Sequence, residues 1–191
     1  DSNLDTAQLY LNIKSVLGSG IAGIFSVDKN GTRVLLGETV AHTGFIIMVF
    51  QIFVSRVAEK FKAMPAFLSG LFVAALGFMF LGYAFIGSSA WAFLGIFLFA
   101  IGEMISSPRI QEYITWIAPK EKAGLYMGTN FLALGLGGAL SGITYGPLYG
   151  YYEKILHPEY VWYTMAGHTV LGMILIWIFV KIMGEFKELE E

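Results

Sequence analysis

No cysteine occurs in this chain, so a disulfide framework, a thiol nucleophile and a Cys-rich metal site are all excluded. Charge is scarce too. Asp, Glu, Lys and Arg make up 14% of the residues, where soluble domains carry about 25%. So few charges cannot cover a soluble fold in which 56% of residues are hydrophobic. The net charge of −2 gives no electrostatic basis for a nucleic-acid partner. HExxH, GxSxG and P-loop patterns are absent, and no cofactor, metal or enzymatic activity is expected. The opening Asp1-Ser2-Asn3-Leu4-Asp5 lacks a basic n-region followed by an apolar run, so no signal peptide stands there. A chain entered partway is the expectation.

What the chain has in abundance is Gly (23), Phe (16) and Tyr (10). Together they fit helices that pack closely in lipid and end in aromatic anchors. Crossing a hydrocarbon core of roughly 30 Å takes about 20 apolar residues. Five stretches have that length: 40–58, 65–86, 91–117, 124–145 and 160–183. The predicted fold is an all-α membrane protein of five transmembrane helices. It divides into an extracytoplasmic segment 1–39, a partial helical bundle 40–183 and a tail 184–191.

Bases set the orientation. The first link holds Arg56, Lys60 and Lys62; the third holds Arg109, Lys120 and Lys122; the C-terminal end adds Lys181 and Lys187. Gly87-Ser88-Ser89 has no base, and the fourth link has only Lys154. Lys and Arg accumulate on the cytoplasmic side, which places the C-terminus inside, in a plasma or bacterial inner membrane. Five spans then put the start of the first outside, which calls for a further helix upstream. Within 1–39, Leu9, Ile13, Val16 or Leu17, Ile21 and Ile24 recur at helical spacing, and Asp28-Lys29-Asn30-Gly31 marks a turn. An interfacial helix fits the first pattern; a reentrant or spanning segment over Leu9–Phe25 is the alternative.

Glu103 lies deep in the third span, with about a dozen apolar residues before it. A carboxylate there can alternate between holding a proton and holding a cationic group; an interhelical polar contact is the structural alternative. Ser106-Ser107-Pro108 follows. Pro108 removes one backbone hydrogen bond, so either a helix break beside the acid or a simple kink is expected. His42, near the outer end of the first span, is a candidate for proton coupling or substrate binding, the alternative being a His hydrogen-bonded at the interface. His168 reads as a packing or interfacial residue and His157 as solvated. In the fourth span Gly128, Gly138, Gly142 and Gly146 have the spacing of close helix packing, or of a sliding surface. Asn130 shares that helix. Tyr145, Tyr149, Tyr151, Tyr152, Tyr160, Trp162 and Tyr163 form an aromatic belt.

Gly102-Glu103-Met104-Ile105-Ser106-Ser107-Pro108 resembles the tenth-helix Gly-Glu-Leu-x-x-Ser-Pro of the proton-dependent oligopeptide transporters of the major facilitator superfamily. Ala118-Pro119 through Gly124-Leu125-Tyr126-Met127-Gly128 resembles that family's Ala-Pro-x-x-x-x-Gly-x-Met-Met-Gly. The resemblance covers 40–183 as helices eight to twelve. It implies proton-coupled symport of di- and tripeptides by alternating access, with Glu103 holding the peptide amino terminus. It also implies an N-terminal half, carrying the carboxylate-binding side of the site, as partner. The chain departs from the family pattern at His42, where Asn is usual, and at Asn130, where Trp is usual. The implied partners are an amino-bearing solute, protons and the bilayer. The rival readings are a facilitator-type transporter of another solute and a non-transporting accessory membrane subunit.

Overall fold

The computed structural model describes residues 36–86 and 90–183, together with residues 11, 14, 15, 18 and 19. Among them there is no strand. Apolar runs form helices in lipid because only a helix pairs every backbone N–H and C=O within one segment. Five long helices follow in order: α1 (Leu36–Ala58), α2 (Ala63–Ile86), α3 (Trp91–Ile117), α4 (Ala123–Lys154) and α5 (Tyr160–Met183), with a 3₁₀ turn (Lys120–Lys122) before α4. Four of these, all but α1, are long and apolar enough to cross a membrane; α1 carries a shorter apolar stretch, Ile46–Ala58. The fold is an all-α membrane protein, as the composition requires.

Local chemistry explains the helix ends. Pro119 forces the residue before it out of the helical region, and Ala118 is extended at φ −79°, ψ 128°, so α3 stops at Ile117. Pro65 falls in the first turn of α2, where its missing N–H leaves no bond unmade. Two boundaries differ from expectation. Leu36–Thr39, assigned to the segment before the first span, already belongs to α1. The rest of that segment, apart from the five isolated positions, and the tail 184–191 lie outside the described residues. The helix expected to end at Tyr145 instead runs to Lys154, straight through Pro147. One missing N–H does not stop a helix whose other bonds hold, so the link to α5 shrinks to Ile155–Glu159.

That link is a tight reversal. The N–H of Leu156 donates to the Glu153 carbonyl (3.0 Å) and the N–H of His157 to the Tyr152 carbonyl (2.9 Å), the paired bonds of a Schellman cap. Leu156 sits where glycine is usual, at φ +63°, with its side chain 84% exposed. His157 Nδ1 contacts Glu159 Oε1 at 2.9 Å, and its ring stacks on Tyr160 at 4.8 Å. This hydrogen bond from His157 holds the Glu159 carboxyl below its ordinary value. His157 is therefore engaged in the link rather than merely solvated.

The strongest packing joins α2 to α3. Gly70, Ala74 and Gly77 on α2 face Ser106, Gly102 and Gly95 on α3, running antiparallel, and the two backbones touch. A methyl added at Gly102 would lie 2.5 Å from the Ala74 nitrogen and 2.6 Å from the Gly70 oxygen. One added at Gly77 would lie 2.7 Å from the Phe99 nitrogen. Against this pair α1 adds Ile46, which meets Ile96, Ala100 and Met104 of α3 in the buried core. On the other side α5 packs on α2, with Trp162 stacked on Phe78 at 6.4 Å.

The fourth helix differs. None of its residues is buried. Its glycines, including Gly128, Gly138, Gly142 and Gly146, have no atom within 4 Å of an added methyl. The expected close-packing surface is therefore not the one used within this chain; spacing shows that a face is smooth, not that another helix lies on it. Side-chain hydrogen bonds tie α4 to α5: Tyr145 Oη to His168 Nδ1 at 2.6 Å and Tyr152 Oη to Thr164 Oγ1 at 3.1 Å. Elsewhere large apolar side chains point outward, Met48 at 77% and Ile143 at 71% exposure among them. Such a surface is suited to lipid and not to water.

Gly102→Ala should destabilise the chain by about 1–3 kcal/mol through overpacking, whereas Gly138→Ala should be neutral or stabilise by up to about 1 kcal/mol through helix propensity. Unfolding in micelles compares the two; equal effects would contradict the seam. Leu156→Gly should raise stability by about 0.5–1 kcal/mol, because the left-handed backbone loses its Cβ conflict and no buried contact is given up. The same unfolding assay reads this, and a loss of stability would contradict it.

Candidate functional site

The candidate site is built on α3, the helix that touches α1, α2 and α4. Its successive residues divide between two environments. Gly102, Met104 and Ser106 are buried, Ser106 against Gly70 and Met104 in the core with Ile46. Glu103 and Ser107, one helical turn apart, are exposed and share one side of α3. Among the described residues Glu103 makes no hydrogen bond and no ion pair. An interhelical polar contact within this chain, the structural alternative for Glu103, is thus not observed. The carboxylate stands exposed on α3, without a partner among the described residues.

Pro108 does not break the helix. Residues 91–117 form one continuous helix with Pro108 inside it. The carbonyl that loses its partner to Pro108 is that of Met104, four residues earlier. Gln51 Nε2 of α1 reaches that oxygen at 3.5 Å while donating to Ser55 Oγ at 2.9 Å. The freed acceptor is thus served from a neighbouring helix, not by Ser106 or Ser107, and α3 continues. An amide between Phe50 and Ile52 in an apolar run was the signal for this contact.

Arg109 was counted with the link bases, yet it lies inside α3 and is 4% exposed. It is paired with Glu112, and its Nη2 has no hydrogen-bond partner. Ser55, Glu59, Pro108 and Glu112 help line a cavity of about 50 Å³ beside it. A desolvated guanidinium with a free N–H, next to a small cavity, can accept a further oxygen ligand there.

Asn130 is half-buried on α4, and its Nδ2 donor is buried without a partner. No hydrogen bond joins it to Glu103. The His42 side chain lies outside the described residues. Of the expected site residues, the structure therefore places Glu103 and Ser107 together on α3, Ser106 in the seam with α2, and Pro108 beside the Arg109 cavity.

Sequence comparison locates the chain among known proteins. It is similar to multidrug resistance proteins. Multidrug resistance protein MdtH of Escherichia coli O157:H7 (strain EC4115 / EHEC), that of E. coli strain SE11 and that of Shigella sonnei strain Ss046 are each 29% identical to it over 136 residues. The aligned part is 71% of this chain and 32% of each relative, so the chain spans about a third of their length. No family model and no solved structure matches. The likeness is to multidrug resistance proteins and does not extend to the peptide-transporting family in particular.

Gln51→Leu should cost about 0.6 kcal/mol in the wild-type background, and less in a Pro108→Ala background, where the restored N–H takes the Met104 carbonyl. A double-mutant cycle of unfolding free energies isolates the coupling. Additive effects would mean that Gln51 does not serve that carbonyl.

Proposed function

We propose that this chain forms part of a major-facilitator-type transporter that moves a small amine-bearing solute by alternating access. Glu103 is the group that engages the solute's ammonium or the coupling proton. The observation carrying this is the exposed Glu103 carboxylate of α3, which has no partner among the described residues. An ionisable group in a span that makes no structural contact is retained at a cost unless it serves transport. The likeness to multidrug resistance proteins supports the transporter class. The bases at one end of the helices favour a cytoplasmic C-terminus in a bacterial inner membrane.

A carboxylate in this position does not distinguish a cationic drug from a peptide, since both present an ammonium. The stretches Gly102–Pro108 and Ala118–Gly128 favour small peptides carried with protons. A free donor at Asn130 suits a carbonyl or carboxylate oxygen of either solute. The remaining wall of the site belongs to the part of the transporter that this chain does not span.

Glu103→Gln in the full transporter should lower proton-driven transport at least about tenfold, the loss of one charge-assisted hydrogen bond, with thermal stability nearly unchanged. Pairing a dipeptide with a free or blocked amino terminus against a cationic dye identifies the solute class. Wild-type transport by the Gln variant, with the preference for a free amine intact, would exclude Glu103 from both roles.

A further inference from the structure

A second cavity, of about 310 Å³, opens between α1, α2 and α3 at the end of the bundle where α1 stops and α2 starts. Val57 and Phe61 form one wall, Ala66 and Ser69 the other, with Ile101 and Ile105 of α3 between them. The single hydroxyl here, on Ser69, already donates to the Ala66 carbonyl at 2.7 Å. Nothing in the groove therefore seeks a polar ligand. Val57 and Phe61 are well exposed, so the groove is open to the side.

Its mouth is basic. Along Arg56-Val57-Ala58-Glu59-Lys60-Phe61-Lys62, the groove residues Val57 and Phe61 alternate with three exposed bases, none of them in an ion pair among the described residues. Glu59, the one acid of the stretch, lines the smaller cavity beside Arg109 instead. Bases at the span boundary above an apolar slot match one kind of molecule, with an anionic head and a hydrocarbon tail. We propose that this groove binds an anionic glycerophospholipid. Its phosphodiester is held by Arg56, Lys60 and Lys62, and one acyl chain lies along Val57, Ser69 and Ile105. A soluble phosphate would leave the slot empty, and a zwitterionic lipid would bring its own cation to the three bases.

The test uses the full-length protein in nanodiscs, with phosphatidylglycerol or phosphatidylcholine bearing the same photoreactive diazirine acyl chain. Crosslinked peptides are then mapped. Phosphatidylglycerol should label the 53–69 region about tenfold more than phosphatidylcholine. The triple variant Arg56→Gln/Lys60→Gln/Lys62→Gln should bring the two to parity. Ser69→Phe, which fills the slot, should remove labelling by both lipids. Val57→Trp fills it from the other wall and stands in if Ser69→Phe does not fold; both positions are exposed. Equal labelling by the two lipids in the wild type would overturn the proposal. So would a preference that survives the triple variant, or labelling that survives the filled slot.

Discussion

The backbone-to-backbone contact of α2 and α3 is the constraint on which the other arrangements depend. Lipid offers no hydrophobic drive for two helices to associate, so dispersion contacts at short range must supply it. Gly70, Gly77, Gly95 and Gly102 allow that range because no Cβ intervenes. With α3 held there, Met104 and Ala100 turn toward α1, and Glu103 is left on the open side. The same rotation turns Arg109 inward, where Glu112 of its own helix pairs with it. Shifting the seam by one residue would turn the acid toward a different neighbour.

Some polar groups in this bundle are answered across helices, and others, such as Thr129 and Thr169, by their own helix backbone. Gln51 on α1 serves the carbonyl that Pro108 leaves open on α3, and Tyr145 on α4 meets His168 on α5. Among the described residues Glu103, one Arg109 nitrogen and the buried donors of Asn130 and Trp162 have no hydrogen-bond partner. Unsatisfied polar atoms in a low-dielectric setting are costly. Three of these four lie on α3 or α4.

Much of this was legible in the sequence because membrane helices are dictated by length and hydropathy. The spans starting at Trp91 and Tyr160 have their observed bounds, and Pro119 marks the end of α3. The pairing of small residues was not legible. Gly70/Gly77 and Gly95/Gly102 are as evenly spaced as the glycines of α4, but regular spacing on one helix says nothing of what lies opposite. The Gly-rich run of α4 drew the expectation, whereas the seam formed between two less conspicuous helices. Pro108, where a break or a kink was expected, and Pro147, beyond the expected end of its span, both lie inside continuous helices, since the cost of one lost N–H depends on whether the freed carbonyl finds another donor. Glu103 could be located from its depth in the span, but its freedom from partners could not, because that depends on which way α3 is rotated.

The manner of α4's attachment has a mechanical consequence. Sliding α2 along α3 would drive Cβ atoms and carbonyls into one another at each glycine, so those two helices move as one stiff body. The fourth helix has nothing interlocked with the rest. Displacing its middle disturbs no buried side chain, and its tether to α5 consists of hydroxyl hydrogen bonds that can be exchanged for others at small cost. Within the bundle, compliance is therefore concentrated in the helix that carries Asn130, and rigidity in the one that carries Glu103. Any solute held between these two residues would sense their separation as a soft coordinate of the protein.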